Sequence, residues 1–298
     1  MNPARFDQAG FDQACSDQTG FDRAYFDEDF VARILDDALA CEPPGKGPLV
    51  YGISGLQGCG KSTLARQMAE LASVSDTSVA VLSIDDFYLG HGQRITLAHD
   101  IHPLLATRGP PGTHDITLAC NTLDGLRDGR PTALPRFDKR IDDLLPATSW
   151  PTPNHVDLVI LEGWFLCVPA QGVDELVVPI NELERNDDTD GRWRRHCNDA
   201  LRDRYPALWQ RIDRLLLLQA PRLEIVPVWR WQQEQALHAD NPADKVMVAD
   251  AFRRFMQHYE RVSRHALAIL PTLADRTIWL DDDRQSLAVE PSQSHPGQ

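Results

Sequence analysis

A glycine-rich segment early in the chain has the residue types and spacing of a phosphate-binding loop. The segment GLQGCGKS, residues 55–62, fits the pattern Gly-x4-Gly-Lys-Ser/Thr and directly follows an apolar run of strand length. Its glycines let backbone N–H groups turn toward phosphate oxygens, and a helix that begins at its end adds a positive dipole. Lys61 is expected to reach the β- and γ-phosphates of a nucleotide, and Ser62 to hold a magnesium ion. The residues predicted to bind the nucleotide are Gly55, Gly58, Cys59, Gly60, Lys61, Ser62 and Thr63.

Cys59 belongs to this loop and precedes the predicted start of the helix by only two residues. A helix N-terminus lowers the pKa of a thiol and can make a cysteine reactive. The alternative is that Cys59 is simply a small residue that fits the loop. The six cysteines of the chain form no CxxC or CxxH pair, so their spacing indicates neither a zinc site nor a disulfide framework.

Two acidic motifs follow apolar runs that have the length of buried strands. SIDDFY has Asp85 and Asp86 directly after one run, and VDLVILEG ends another run with Glu162. Ligands of open α/β sheets bind at the carboxyl ends of the strands, so these carboxylates are expected beside the phosphate loop. One aspartate could accept a proton from an attacking alcohol while the other orders magnesium-bound water; the structural alternative is a turn or a helix cap. Glu162, as a Walker B acid, would face the metal or one of its waters.

Basic residues are concentrated on two loops that are rich in Pro and Gly. RGPPGTHD spans residues 108–115 and LPRFDKR spans residues 134–140. An anionic acceptor would need such a cluster, because arginine pairs with carboxylates through two parallel hydrogen bonds. The alternative is a set of solvated loop charges. The basic residues of the two loops are Arg108, His114, Arg136, Lys139 and Arg140.

The segment VPVWRWQQE puts Arg230 on a predicted helix that follows the apolar run ending at Gln219. If this helix closes over the nucleotide, Arg230 would contact the transferred phosphoryl group, as arginine fingers do. The alternative is an exposed helix arginine. The neighbouring tryptophans, Trp229 and Trp231, are interpreted as packing residues.

The elements that must position these side chains alternate between strands and helices. Short apolar runs predict strands at residues 49–54, 78–84, 156–162, 213–219 and 276–280. Helical patterns separate them at residues 61–72, 116–127, 191–205, 223–238 and 245–270. Strands that are apolar throughout, with helices between them, are typical of a parallel sheet covered on both faces. The predicted fold is therefore a doubly wound, mostly parallel α/β sheet of the P-loop NTPase type.

The chain is predicted to have an acidic extension, one α/β domain and a polar tail. Residues 6–30 repeat every five residues and keep an aspartate in register from Asp7 to Asp27. This segment predicts a flexible extension; a short helix follows it and ends at the Pro43-Pro44-Gly45 break. The predicted division is residues 1–44 for the extension and short helix, 45–283 for the P-loop domain and 284–298 for the tail.

Composition excludes several classes of protein. The chain has 298 residues, 42% of them hydrophobic, and 30 Lys and Arg against 44 Asp and Glu, for a formal net charge of −14. That acidic excess argues against a nucleic-acid partner. No run approaches the roughly 18 apolar residues of a membrane span, and the acidic N-terminus does not resemble a signal peptide. We therefore expect a soluble, cytoplasmic protein with a small-molecule partner; the sequence does not define its oligomeric state.

Taken in order, these motifs resemble those of the P-loop small-molecule kinases related to phosphoribulokinase, uridine kinase and pantothenate kinase, and most of all the D-glycerate 3-kinase branch. The resemblance covers residues 45–283 and rests on GISGLQGCGKSTL, SIDDFYL, RGPPGTHD, LPRFDK, LVILEGW, LLLLQAP and WRWQQE. It implies that Asp85, rather than Asp86, is the catalytic base. It also implies an acceptor pocket formed by Arg108, His114, Asp115, Arg136, Asp138 and Lys139. One departure is the segment RIDDLLPATSWP, residues 140–151, where the eukaryotic glycerate kinases have a Gly-rich Gly-Asp-Arg segment.

The resemblance implies an ATP- and Mg²⁺-dependent kinase that phosphorylates glycerate to 3-phosphoglycerate. Its catalytic residues would be Lys61, Asp85 and Arg230, and its metal-side residues Ser62, Asp85 and Glu162. Three alternatives remain open at this point: a kinase for another small hydroxylated acid or a nucleoside, a nucleotide-dependent regulatory protein, and a non-catalytic binding module. Against a regulatory protein, the chain contains no Asn-Lys-x-Asp guanine-reading motif.

Overall fold

The computed structural model describes residues 26–45, 47–240 and 249–287. The predicted flexible repeat lies outside the described residues, apart from its last unit, residues 26–30. The strands are β1 (Leu49–Gly55), β2 (Val79–Ser83), β3 (Phe137–Asp138), β4 (Asp143–Leu144), β5 (Leu158–Gly163), β6 (Arg214–Gln219), β7 (Arg276–Leu280) and β8 (Ser286–Leu287). The α-helices are α1 (Glu28–Leu39), α2 (Lys61–Ser73), α3 (His91–Asp100), α4 (Ile116–Arg127), α5 (Glu182–Asp187), α6 (Arg192–Asp203), α7 (Pro206–Trp209), α8 (Ile225–Asp240) and α9 (Ala249–Ile269).

The main sheet has the strand order β2-β5-β1-β6-β7-β8. The first five strands are parallel, and β8 is antiparallel to β7. Helices follow the strands and cover the sheet, so the prediction of a doubly wound, mostly parallel α/β sheet is confirmed. All five predicted main strands are present, within two residues of their predicted ends.

Register brings the predicted functional motifs to one edge of this sheet. In the pairing of β2 with β5, Ser83 is opposite Glu162, and in the pairing of β1 with β5, Ser54 is opposite Gly163. The phosphate loop begins where β1 ends, and the acidic SIDDFY turn begins where β2 ends. Both therefore emerge beside Glu162, at the carboxyl ends of the parallel strands.

Burial explains why the central strands are apolar throughout. Every residue of β1 and β5 is buried, because these strands have neighbours on both sides and helices on both faces. The edge strand β2 instead alternates between buried and half-buried residues. The long helix α9 packs on the core through positions three or four apart, which include Phe252, Tyr259 and Val262.

Helix α3 was not predicted, and its sequence HGQRITLAHD explains why. An amphipathic surface helix normally buries an apolar stripe, but the buried residue of α3 is Arg94, which is fully inaccessible to solvent. The guanidinium donates to the carbonyl oxygens of Leu89 and Ala106 and pairs with Asp142. Besides the partly buried Leu97, which packs on a small apolar cluster, the helix is therefore attached to the fold by polar contacts that hydrophobic periodicity does not reveal.

The folded unit differs from the predicted boundaries at both ends. Asp27 caps α1 by accepting from Asp29 N and Phe30 N, and Ile34 on the buried face of this helix belongs to the main hydrophobic core. Ahead of it, Phe26 donates its backbone N–H to the side chain of Gln67 on α2 and accepts from the same side chain. At the other end β8 pairs with β7. Residues beyond both predicted limits, 44 and 283, thus contribute to the same fold.

No helix among the described residues is long and apolar enough to cross a membrane. The described cysteines are all unpaired thiols: Cys41, Cys59, Cys120, Cys167 and Cys197.

Candidate active site

The phosphate loop connects β1 to the first turn of α2. Gly60 has φ of 99° and precedes the helix without a side-chain cap, so the N–H groups of that turn are not satisfied by a capping side chain. Gly58 has φ of 79°, and a Cβ there would lie 2.7 Å from the Cβ of Trp229 on α8. Both positions therefore require glycine, one for the turn and one for the close approach of α8.

Two polar groups of the loop lack the partners that a phosphate would give them. Lys61 is buried, with 8% of its surface exposed, and its Nζ donates to the backbone oxygen of Leu56 at 3.0 Å. The side-chain amide of Gln57 is buried and has no hydrogen-bond partner among the described residues. Buried polar groups normally have partners. The orphaned amide and the folded-back lysine thus fit a loop whose ligand is a polyphosphate.

A hydroxyl and a carboxylate meet next to the loop. Ser62 Oγ donates to Glu162 Oε1 at 2.9 Å, and both side chains line an open cleft of about 580 Å³. Oxygen donors of this kind are the ligands that Mg²⁺ prefers. Ser62 and Glu162, two of the predicted metal-side residues, are therefore brought together with suitable chemistry.

Asp85 and Asp86 follow β2 in a single 3-10 turn, Ile84–Phe87, and their side chains have different partners. Asp86 closes the turn by accepting from Ser83 N at 3.1 Å and also binds Arg136 Nη1 at 3.2 Å. Burial raises the pKa of Asp86 despite the arginine. Asp86 and Arg136 thus form a half-buried link between the turn and the second basic loop.

Asp85 is held by a lysine and a tyrosine. Lys139 Nζ donates to Asp85 Oδ2 at 2.6 Å, and the Tyr88 hydroxyl donates to Oδ1 at 2.6 Å. Burial alone would raise the pKa of Asp85, but the ammonium of Lys139 and these hydrogen bonds hold it well below its usual range. Asp85 is therefore a carboxylate at neutral pH. Asp85, the third residue predicted to lie on the metal side, thus hydrogen-bonds to Lys139 and Tyr88 rather than to Ser62 or Glu162.

The β3–β4 hairpin brings the second basic loop over this aspartate. Asp142, in the turn of the hairpin with φ of 56°, pairs with Arg94, with Arg108 and with His91. Both guanidinium groups also lie within 6 Å of the Phe137 ring centre, at 5.7 and 5.8 Å. One acidic residue thus pairs with two arginines and offsets only one of their two positive charges.

His114 is buried in an aromatic cluster that adjoins Asp85. Its ring centre lies 4.8 Å from that of Tyr88, and burial lowers its pKa to about 3, so the ring is neutral. The Tyr205 hydroxyl accepts from Gly112 N at 3.0 Å and lies 2.6 Å from His114 Nδ1. We assign the hydroxyl as the donor to Nδ1, since this gives its proton an acceptor; the ring proton is then on Nε2, which has no partner among the described residues.

The two remaining predicted acceptor residues have structural partners. Asp115 caps α4, with its side chain accepting from Leu118 N at 2.9 Å. Asp138 accepts from the backbone and the guanidinium of Arg140. Both contacts are local in sequence, as expected of caps and turns.

Arg230 lies on α8, directly against the phosphate loop. A Cβ at Gly58 would be 2.9 Å from its backbone nitrogen. The guanidinium pairs with Glu234 one turn further along the helix and donates to Gln233. The structure thus brings the arginine to the loop and directs its side chain along its own helix.

Cys59 is fully buried, and a Cβ at Gly55 would lie 2.8 Å from its Sγ. Burial raises the pKa of the thiol and outweighs the opposing effect of Lys61. The structure therefore favours the interpretation that a small residue fits this position.

Several polar residues near the site were not identified from the sequence. They are Arg94, Tyr88, Asp142, Tyr205, Tyr259 and Arg284. Tyr88 is within the SIDDFY motif, three residues after Asp85, and this spacing could have indicated that its hydroxyl reaches the carboxylate. Tyr259, on α9, donates its hydroxyl to the backbone oxygen of Arg108 at 2.8 Å, across a sequence separation of 151 residues. Local patterns contain no signal for such a contact.

Comparisons with known proteins extend over most of the chain. No protein-family model matches it. An uncharacterized kinase of Schizosaccharomyces pombe is 33% identical over 231 residues, which are 73% of this chain and 80% of that protein. The chloroplastic D-glycerate 3-kinase of Arabidopsis thaliana is 28% identical over 260 residues, which are 80% of this chain but only about half, 53%, of that enzyme. The structure of D-glycerate 3-kinase from Cryptococcus neoformans matches with a TM-score of 0.68 and 25% identity, covering 88% of this chain and 97% of that one.

Proposed function

Because the chain belongs to the family of P-loop kinases related to D-glycerate 3-kinase and pantothenate kinase, we propose that it transfers the γ-phosphoryl group of ATP to the primary hydroxyl of D-glycerate. The product is 3-phosphoglycerate. The observation on which the proposal depends is the position of the Asp85 carboxylate, which follows β2 at the same edge of the sheet as the phosphate loop and accepts from Lys139 of a basic hairpin at 2.6 Å. The reaction is assigned to the cytoplasm, as the sequence predicts.

The phosphate loop binds the triphosphate of ATP. Backbone N–H groups of residues 55–63 surround its oxygens, and Lys61 leaves the carbonyl of Leu56 to contact the β- and γ-phosphates. Magnesium, when bound, supplies charge neutralisation of the phosphate oxygens. Ser62 and Glu162 would hold it, since their oxygens already meet at 2.9 Å.

Asp85 accepts the proton of the acceptor. The acceptor oxygen forms a bond to the γ-phosphorus, the bond from that phosphorus to the bridging oxygen of ADP breaks, and the hydroxyl proton passes to the carboxylate. A loose transition state requires only late removal of this proton. A carboxylate with a lowered pKa is therefore adequate, provided that it is correctly positioned.

Lys139 must release Asp85 when the acceptor arrives, because it occupies one of the two carboxylate oxygens. The carboxylate of a hydroxy acid is a suitable new partner for this ammonium. Lys139 is half exposed, with 52% of its side-chain surface accessible, and so can move without disturbing the core. The same acceptor would thereby bind Lys139 and uncover its own base.

The charges around Asp85 support an acidic acceptor over a neutral one. Three cations, Arg94, Arg108 and Lys139, are connected to two carboxylates, Asp85 and Asp142. The group retains one positive charge, which matches the single carboxylate of a hydroxy acid. Arg230 and His114 complete the proposal, the first as a contact to the transferred phosphoryl group and the second as an Nε2–H donor on the acceptor side.

A kinase for a different small hydroxylated acid is the second candidate. It is favoured by the hairpin, in which Asp142 pairs with Arg108 in the segment that departs from the eukaryotic glycerate kinases. A changed pocket wall is compatible with a larger or differently substituted acid. The two candidates share the nucleotide site and the role of Asp85.

ADP release with a set of acceptors tests the proposal. The purified chain is given Mg-ATP with D-glycerate, L-glycerate, other small hydroxy acids, pantothenate or uridine, and ADP is followed by a coupled assay. We expect the highest kcat/KM with D-glycerate, and a loss of about 10³-fold or more in turnover by a Lys61→Ala variant with every acceptor. Preference for another acid would favour the second candidate. Hydrolysis without any acceptor would favour a regulatory protein, and tight ATP binding without turnover would favour a binding module.

A further inference from the structure

The segment after β7 turns back onto the phosphate loop. Residues 281–287, here called the C-terminal strap, begin with a tight turn in which Asp281 accepts from Asp283 N and Gln285 N. The turn ends at Arg284, whose φ of 64° lies in the left-handed region. That conformation is uncommon for a residue other than glycine, asparagine or aspartate. It directs the arginine away from β8 and toward α8.

Arg284 connects the C-terminal strap to two parts of the nucleotide site, the phosphate loop and α8. Its Nε donates to the backbone oxygen of Gly58 in the phosphate loop at 2.7 Å. Its Nη2 donates to Gln232 Oε1 at 2.6 Å and to Trp229 O at 3.3 Å, both on α8. The guanidinium also lies over the Trp229 ring, 5.2 Å from its centre. One side chain thus binds the loop to the helix that includes Arg230.

The charge of Arg284 is not neutralised by an ion pair with any described carboxylate, and its recorded acceptors are two carbonyls and one amide oxygen. Arg222, which follows β6, is different, because its charge is paired with a carboxylate of the strap, that of Asp282. A half-buried cation with neutral partners costs desolvation energy. A polyphosphate in the adjacent loop would offset that cost by long-range attraction.

We propose that Arg284 is a positioning residue of the nucleotide site, which holds the Gly58 carbonyl outward and fixes α8 against the phosphate loop. With this carbonyl held on the outer side, the loop N–H groups remain directed at the phosphates. With α8 fixed, Arg230 stays within reach of the transferred group. The inference rests on the nucleotide site of the proposed function and not on the identity of the acceptor.

Nucleotide binding measured without an acceptor tests this role. Mg-ADP is titrated by calorimetry into the wild-type chain, Arg284→Met, Arg284→Lys and the control Arg222→Met. Arg222→Met also removes one positive charge that contacts the strap, but it does not change a contact to the phosphate loop. Losing a set of hydrogen bonds from a charged group should weaken Mg-ADP binding about tenfold in Arg284→Met. Arg284→Lys, which keeps the charge and one donor for Gly58 O, should recover part of the affinity.

Steady-state kinetics separate positioning from general stabilisation. For Arg284→Met we expect a higher KM for ATP, an unchanged KM for the acceptor and a melting temperature close to that of Arg222→Met. Wild-type affinity in Arg284→Met, or an equal loss in Arg222→Met, would overturn the inference. If all variants behave as expected but no acceptor is phosphorylated, the proposed function fails and the inference stands. If the wild-type chain does not bind Mg-ADP, both fail.

Discussion

The nucleotide side and the acceptor side of the site differ in how their polar groups are satisfied. In the phosphate loop the side chain of Gln57 has no described partner, and Lys61 Nζ donates to two groups of its own loop, the carbonyl of Leu56 and the thiol of Cys59. On the acceptor side the cations are already paired, Lys139 with Asp85 and Arg108 with Asp142. The loop is therefore ready for its ligand, whereas an acceptor must exchange partners with groups of the protein. Substitutions in the two regions should accordingly change different kinetic constants.

Lys61→Ala should have the largest effect, because it removes the loop ammonium expected to contact the β- and γ-phosphates both before and during transfer. We expect kcat to fall by about 10³-fold or more, as when a principal electrostatic contact to a transition state is lost. The coupled ADP assay measures this directly. Retention of more than a tenth of the wild-type rate would show that the loop does not act on the reacting phosphate.

Asp85→Asn should affect chemistry and leave the nucleotide side intact. Loss of a general base costs about 10²–10⁴-fold in rate, whereas Mg-ADP affinity should stay close to that of the wild-type chain. The matched control is Asp86→Asn, which weakens the link to Arg136. This variant should have a lower melting temperature but a kcat close to that of the wild-type chain at saturating substrate. A near-normal rate in Asp85→Asn would contradict the assignment of the base.

Lys139→Met should raise the acceptor KM by about tenfold, since a charge-assisted contact is lost, and should leave the KM for ATP unchanged. It should also change the pH profile. Burial raises the pKa of Asp85 and Lys139 is the main opposing influence in the enzyme without acceptor, so removal of Lys139 should shift the acidic limb of kcat/KM for the acceptor to higher pH. The wild-type chain should show no such limb above its acid denaturation. An unchanged profile in Lys139→Met would mean that the lysine does not control Asp85.

Asp115→Ala should have the smallest effect. The loss of the α4 cap should lower the free energy of unfolding by about 1 kcal/mol, measured by urea denaturation, and Asp115→Asn should restore most of it. The acceptor KM of Asp115→Asn should stay within about twofold of the wild-type value if the cap is the main role of this residue. A larger rise in that KM would show that Asp115 also contributes to binding of the acceptor.

The same contrast explains how much could be predicted from the sequence. The nucleotide side is mostly local: the end of β1, the loop and the start of α2 are contiguous in the chain, so spacing alone predicted that Lys61 and Ser62 share one loop. Glu162 is 100 residues from Ser62, and the rule that parallel strands end at one edge of the sheet predicted their meeting. The strands were predictable because β1 and β5 are buried on both faces and apolar throughout.

The acceptor side was only partly predictable, because its geometry depends on contacts between distant segments. The pairing of Arg94 and Arg108 with Asp142 involves separations of 48 and 34 residues, and α3 has no apolar stripe to mark it. Arg284 meets Gly58 across 226 residues, so the strap resembled a polar tail. Motifs thus identified the residue types of the acceptor side, whereas their partners required the fold.

Phosphorus NMR of the reaction products tests the central claim most directly. The chain is incubated with Mg-ATP and D-glycerate, with Asp85→Asn as the control. We predict that 3-phosphoglycerate forms in an amount equal to the ADP released, and that neither product accumulates with Asp85→Asn over the same time. Formation of ADP and inorganic phosphate without a phosphorylated acceptor, or phosphorylation at the secondary hydroxyl, would contradict the account.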